Sequence, residues 1–331
     1  MLQSLESLKH FYINNKRIVM KKYAFIFPGQ GSQSVGMGKE FYENFAVAKE
    51  LFERASAALN MDMKQLLFEE NDKLNLTQYT QPAIFLVSAI AHSVFQSEYP
   101  LMPSVAMGHS LGEVSAVVLS DGASFENGIK LIHKRGELMA KACEGKNAGM
   151  MVVVGLDDEK LEQFCKQSQQ AGKSIWCANY NSDGQVVLAG SKDDLSAAES
   201  HLKALGAKRA LLLPMSVASH CPLLESATAP FEALLKEILN ESLSTPILSN
   251  ATLETYTQKT QAKALLSSQL TQPVLYKQSI LKLNDEIDTF IEFGNGNVLR
   301  GLNKRLSQVP TWNVSNLTSL KECIEGIKSN V

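Results

Sequence analysis

Val105-Ala106-Met107-Gly108-His109-Ser110-Leu111-Gly112 reads as a brief apolar strand running straight into a glycine-flanked serine, with a helical pattern beginning at residue 111. A G-x-S-x-G set between a strand and a helix is the context that a nucleophile elbow requires. The turn is sharp enough to hold the serine at strained backbone angles, so a side chain at Gly108 or Gly112 would collide with the neighbouring strand or helix. The helix start puts partial positive charge near the Ser110 hydroxyl and offers the Leu111 N–H as an oxyanion donor. Short motifs recur by accident, and a chance glycine-serine turn is the competing explanation.

Upstream, Tyr23-Ala24-Phe25-Ile26-Phe27 is a short apolar run ended by Pro28-Gly29, hence a buried strand feeding a tight loop. Helical patterns follow near 38–60, 82–97, 111–120 and 125–143. Strands alternating with helices predict an α/β fold with a parallel sheet. With the elbow, that core is of the α/β-hydrolase-like kind. Between about 147 and 213 the rhythm changes to strand 149–154, helix 157–170, strand 174–179, strand 185–189, helix 192–205 and strand 209–213. This β-α-β-β-α-β order is the ferredoxin-like unit. Asn181-Ser182-Asp183-Gly184 supplies the turn residues between its middle strands. The expected organisation is a large catalytic subdomain, 20–146 and 214–331, with a small subdomain, 147–213, inserted in it. Helices are expected near 222–240, 260–269, 274–282 and 297–306, with a strand at 289–293. Residues 1–19 carry Glu6, Lys9, Lys16 and Arg17 around short apolar stretches. They lack a signal-peptide core and are read as an extension outside the catalytic fold.

The 331 residues, 45% hydrophobic and 20% charged, suffice for a large core plus a smaller lobe. Basic and acidic residues number 32 and 34, a formal charge of −2 that gives no global pull toward nucleic acid or an anionic membrane. Any anionic partner must therefore meet a local patch. The five cysteines contain no C-x-x-C pair. Neither a disulfide framework nor a zinc site is expected, and reduced thiols in a cytoplasm are the simplest reading. No apolar run reaches membrane-spanning length.

A serine hydroxyl needs a base within hydrogen-bond reach. Of six histidines, His10 lies in the extension, while His92, His133 and His201 sit on helical patterns where packing or exposure is the default. His109 adjoins Ser110, and neighbours on a strained turn point apart. His220, in Val217-Ala218-Ser219-His220-Cys221-Pro222, lies on a loop past a strand end and is the best of the candidates. The loop Phe27-Pro28-Gly29-Gln30-Gly31-Ser32-Gln33 lacks the lysine and spacing of a phosphate-binding loop and suits the delivery of backbone N–H groups to an oxyanion. Arg135 reads either as a solvated helix residue or as a planar fork for a substrate carboxylate.

Together these residues resemble the malonyl-CoA:acyl carrier protein transacylases and the related acyltransferase domains of polyketide and fatty-acid synthases. The similarity runs from about Lys22 to Arg305. It rests on the 27–33 loop, Gly108 to Glu113, Ser219-His220 and Glu292-Phe293-Gly294-Asn295-Gly296, with Tyr79-Thr80-Gln81-Pro82-Ala83 and Gly301-Leu302-Asn303-Lys304-Arg305 as further blocks. The resemblance implies Ser110 as acylated nucleophile and His220 as general base. It gives the N–H groups of Gln30 and Leu111 as the oxyanion hole, and Arg135 as receptor of the malonyl carboxylate. Gln269 would orient the histidine through its backbone carbonyl, and Gln30, Asn179 and Asn181 would line the substrate pocket.

The implied partners are malonyl-CoA and an acidic, phosphopantetheinylated acyl carrier protein, with a monomer expected and neither metal nor cofactor needed. Lys203, Lys208, Arg209, Lys304 and Arg305 are candidates to meet the carrier, each read equally as an ordinary surface charge. A serine thioesterase or esterase of similar fold is the first alternative, because the elbow does not distinguish water from a thiol. A catalytically silent binding module is the second.

Overall fold

The computed structural model describes residues 21–329, so the expected extension over residues 1–19 lies outside the described residues. Six strands form the main sheet: β1 (Tyr23–Phe27), β2 (Val105–Gly108), β7 (Ser242–Leu248), β8 (Thr255–Gln258), β9 (Thr289–Phe293) and β10 (Thr311–Val314). Their order is β10-β9-β1-β2-β7-β8, parallel throughout except that β8 runs antiparallel to β7. Every residue of β1, β2 and β9 is buried, as expected for parallel strands covered on both faces. Phe27 is in register with Gly108. The chain therefore leaves β1 and β2 at the same edge, where loops carry Gln30 and Ser110 side by side. Ligands gather at this carboxyl edge in parallel sheets.

Helices α1 (Lys39–Asn44), α2 (Ala46–Leu59), α3 (Met63–Phe68), α4 (Thr77–Glu98), α5 (Leu111–Val117) and α6 (Phe125–Cys143) precede the second sheet. The helical pattern at 38–60 is broken at Phe45, whose extended backbone (φ −126°, ψ 131°) separates α1 from α2. The pattern at 111–120 ends as α-helix at Val117 and continues as a π turn, with Asp121 at φ 60°. Helix α4 begins five residues before Pro82, the residue that a helix start would favour. Pro82 cannot donate to the Gln78 carbonyl one turn back. His133 Nδ1 takes that carbonyl instead at 2.7 Å, which leaves no orphan acceptor where α4 and α6 pack together.

The segment expected to be a small subdomain forms its own four-stranded sheet. Strands β3 (Ala148–Val154), β4 (Ile175–Ser182), β5 (Gln185–Ser191) and β6 (Arg209–Leu212) pair antiparallel in the order β4-β5-β3-β6. Helices α7 (Asp158–Gln170) and α8 (Lys192–Ala204) connect them. Asn181 and Ser182 belong to β4 rather than to the turn, because pairing with β5 continues to Ser182↔Gln185. The hairpin closes on Asp183-Gly184 alone, with Gly184 at φ 64°. Alternate residues of β3 face opposite ways. Met151 and Val153 enter a separate core with Leu161, Phe164 and Leu195 of the two helices. Met150 and Val152 pack against the main core and roof the cleft above Ser110.

The remaining helices are α9 (Glu225–Ile238), α10 (Lys259–Ser268), α11 (Tyr276–Leu283), α12 (Val298–Leu306) and α13 (Leu317–Ser329). Between α10 and α11 the chain crosses to the small sheet. Tyr180 N–H donates to the Val274 carbonyl at 2.9 Å, and Val274 N–H donates to the Ala178 carbonyl at 2.8 Å. Lys277 forms ion pairs with Asp158 and Asp183. Among the described residues, no helix is long and apolar enough to cross a membrane.

Candidate active site

Ser110 sits between β2 and α5 at φ 54°, ψ −106°, a conformation that costs a non-glycine residue on the order of 1–3 kcal/mol. The crowding is visible at the flanking glycines. A methyl group at Gly112 would overlap the Phe27 carbonyl, and one at Gly108 would overlap the backbone of Gly112. Two buried side chains pin the turn. Asn250, just past β7, accepts from Ser110 N–H at 2.7 Å and donates to the Gly108 carbonyl at 2.6 Å. Gln269 Nε2 donates to the Ser110 carbonyl at 3.1 Å.

The Ser110 hydroxyl lies 2.7 Å from His220 Nε2, and His220 Nδ1 lies 2.7 Å from the Gln269 backbone carbonyl. A carbonyl only accepts, so Nδ1 carries the proton, Nε2 is the acceptor, and the serine hydroxyl donates to it. The ring is 2% exposed. Burial, then the Arg135 charge, lowers its pKa to about 3, against the opposing pull of the Gln269 carbonyl. A neutral imidazole with an open nitrogen on a serine hydroxyl has the geometry of a general base.

Arg135 reaches the cleft from α6 and is 1% exposed, so the solvated alternative does not describe it. It donates to Gln81 Oε1 at 2.8 Å, to Gln269 Oε1 at 2.9 Å and to Ser110 Oγ at 3.4 Å, while its Nε is buried with no hydrogen-bond partner among the described residues. Burial lowers its pKa to about 10, partly countered by Glu113, and it stays charged at neutral pH. A cation with an unused donor beside a serine hydroxyl can receive an anionic group attached close to the reacting carbon.

These groups line one cleft of about 270 Å3 with Gln30, Leu111, Asn179 and Asn181, under a roof that includes Met150 and Val152. Every residue given a catalytic, oxyanion, substrate-binding or histidine-orienting role from the sequence is therefore in or against the same cavity, Gln269 through its contacts with His220 and Arg135. Asn181 Oδ1 lies 2.8 Å from His109 Nε2, and the Gln30 side chain is tied to Thr77 at 3.3 Å. The other histidines are accounted for elsewhere. His92 packs among Phe25, Phe27 and Phe293, His133 takes the Gln78 carbonyl and His201 packs on Phe164. His10 lies outside the described residues.

Sequence reasoning missed four members of the site: Asn250, Glu113, Tyr256 and Gln81 as polar groups that hold it. Glu113 is 0% exposed and accepts from Asn250 N–H at 2.9 Å, Tyr256 O–H at 2.9 Å and Gln269 Nε2 at 2.7 Å. The available signal was a lone charge in the otherwise apolar start of α5. Of the basic residues considered for carrier docking, Arg305 reaches Gln185 at the cleft edge (3.1 Å), whereas Lys203 is paired with Glu199 at 2.6 Å.

Residues 24–315 match the acyl transferase domain family. The malonyl CoA-acyl carrier protein transacylase of Haemophilus influenzae is 38% identical over 87% of this chain and 93% of its own length. That of Bacillus subtilis is 36% identical over 93% and 98%. A crystal structure of the malonyl-CoA:acyl carrier protein transacylase from Helicobacter pylori superposes with a TM-score of 0.91 at 52% identity, covering 94% of this chain and all of that one. A malonyl-transacylase solved with a type II polyketide acyl carrier protein superposes with a TM-score of 0.88 at 34% identity, over 92% of this chain and 99% of that one. With the family matched across the site and relatives aligned over nearly their whole length, the chain belongs to the acyl transferase family and, within it, to the malonyl-CoA:acyl carrier protein transacylases.

Proposed function

We propose that this chain transfers malonyl from malonyl-CoA to the phosphopantetheine thiol of acyl carrier protein, through a malonyl ester on Ser110, to supply fatty-acid chain elongation. The observation that carries the reading is the Arg135 guanidinium, buried and 3.4 Å from Ser110 Oγ. In a malonyl group a single methylene separates the carboxylate from the thioester carbonyl. A carboxylate held by that guanidinium therefore leaves the carbonyl carbon beside the serine.

In the first half-reaction Ser110 Oγ attacks the thioester carbon as His220 Nε2 takes its proton. The N–H groups of Gln30 and Leu111 receive the developing oxyanion. The intermediate collapses to the malonyl ester, and His220 returns the proton to the departing CoA sulfur. The carrier thiol then repeats the sequence in reverse, so ping-pong kinetics are expected. An acetyl group would leave the buried Arg135 fork without a substrate carboxylate, a loss of about 2–5 kcal/mol for a broken buried charge pair.

The β-α-β-β-α-β order and the antiparallel arrangement β4-β5-β3-β6 support reading residues 147–213 as a ferredoxin-like insert in an α/β-hydrolase-like core. Arg305, which reaches Gln185 at the cleft edge, is the basic residue read here as meeting an acidic carrier.

Intact-mass measurement tests the function directly. Malonyl-CoA should add one malonyl mass, and pantetheinylated carrier protein should discharge it as malonyl-carrier. Release of free malonate at a rate indifferent to carrier would instead mark a thioesterase.

A further inference from the structure

A buried guanidinium needs a countercharge, yet every hydrogen bond that Arg135 makes among the described residues ends on a neutral oxygen, from Gln81, Gln269 or Ser110. The answering carboxylate stands one amide away. Glu113 Oε2 accepts from Gln269 Nε2 at 2.7 Å, and Gln269 Oε1 accepts from Arg135 at 2.9 Å. The amide has one workable orientation. Flipped, it would set its NH2 against the guanidinium and its oxygen against both the Glu113 carboxylate and the Ser110 carbonyl. Among the described residues, the three groups that hydrogen-bond to the Glu113 carboxylate (Asn250 N–H, Tyr256 O–H and Gln269 NH2) all act as donors to it, which suits an ionised, acceptor-only carboxylate. Burial dominates and raises the Glu113 pKa above the ordinary carboxylate range, against the opposing pull of these three donors and of the Arg135 charge.

We propose that Glu113 is the standing countercharge of Arg135 and a positioning residue for the acyl carboxylate: from one amide away it compensates the guanidinium without occupying its fork. A carboxylate in direct contact would compete with the acyl group for the same N–H donors. With no anion nearby, the acyl carboxylate would be the sole countercharge and would be gripped more tightly at every stage. Such uniform binding lowers KM without raising kcat. Glu113 thus sets how strongly the pocket prefers an acyl group that carries a carboxylate. The inference rests on the reading that Arg135 receives that carboxylate.

Glu113→Gln isolates the charge. The new amide oxygen can accept from Asn250 and Gln269, and its NH2 can donate to the Tyr256 oxygen. In chloride-free buffer, the variant should show a KM for malonyl-CoA lowered about tenfold with no gain in kcat. The malonyl-over-acetyl ratio in Ser110 acylation should widen by a similar factor. A folded variant with that ratio unchanged or narrowed overturns the proposal, because a purely structural role would slow both acyl groups alike. Should Glu113→Gln fail to fold, Tyr256→Phe removes one donor from the carboxylate and should widen the ratio by a smaller factor; an unchanged ratio there also overturns it. Arg135→Ala is measured alongside. If that variant keeps malonyl preference, the carboxylate-receptor reading itself is lost. If it loses preference while Glu113→Gln and Tyr256→Phe leave the ratio unmoved, only the role of Glu113 is lost.

Discussion

The backbone carbonyl of Gln269 holds His220 by Nδ1 at 2.7 Å, while the side-chain amide of the same residue holds Arg135 at 2.9 Å. One residue thus sets the tautomer of the base and the direction of the cation. The Arg135 charge in turn helps to keep His220 unprotonated, second only to burial.

With the His220 pKa at about 3, the acid limb of kcat/KM for malonyl-CoA should lie far below pH 6.5, leaving activity level from pH 8 to 5. Arg135→Ala removes one lowering influence and should move the limb toward neutral pH. A wild-type limb near 6.5 in the pH–rate profile would refute this. The same group affects stability. Between pH 6.5 and 3 the unfolded chain protonates this imidazole and the folded chain does not. The His220 contribution therefore falls by roughly 1.4 kcal/mol per unit as pH drops through that window. Urea unfolding of wild type and His220→Gln across pH 4.5–6.5 should show the difference.

Arg135→Ala should cost malonyl acylation about 2–5 kcal/mol in kcat/KM while sparing or improving acetyl acylation. The comparison is made by intact mass after timed exposure to each thioester. An equal loss for both acyl groups would show that some other cation selects the carboxylate.

Asn250→Ala leaves the Ser110 N–H and the Gly108 carbonyl without their shared partner. A loss of about 2–4 kcal/mol in folding free energy is expected from two buried groups left unsatisfied. In protein that remains folded, acylation should slow at least tenfold, because the turn that aims the Ser110 hydroxyl is no longer pinned. Full-rate acylation would remove Asn250 from the support of the elbow.

Gly112→Ala would drive a methyl group into the Phe27 carbonyl of β1. Helix α5 and the 27–33 loop must separate to admit it, at a cost above about 3 kcal/mol, in the upper tail for single substitutions. Thermal unfolding should reveal this at once; a melting temperature within two degrees or so of wild type would contradict the packing described.

The fold was legible where burial forces a strong pattern. The strand at Thr289–Phe293 sets Phe290, Ile291 and Phe293 around a single charge, Glu292, and the helix at Phe125–Cys143 has a Ser124 cap and one apolar face. Strands β7, β8 and β10 and helices α3 and α13 went unread. β7 alternates exposed and buried residues through two serines, a threonine and Pro246, and β10 is four residues long. Asn250 follows β7, so missing that strand hid the residue that pins the elbow. The pattern starts a helix at Pro82 because a sequence does not disclose that His133, 51 residues later, donates from Nδ1 to the orphaned Gln78 carbonyl. Ser110 is legible from its elbow and His220 as the best placed of six histidines, whereas the roles of Arg135 and Gln269 come from the resemblance; the hydrogen bonds among the four depend on contacts between distant segments.

The crossing between α10 and α11 carries a further consequence. Gln269 serves the base and the cation, Val274 ties down β4, and Lys277 fastens the hairpin above. Floor and roof of the cavity are thus sewn together by one short piece of chain. An inhibitor that wedged the roof upward would tug on the very residue that aligns the histidine, so occupancy at the rim and silence at the serine would be mechanically the same event.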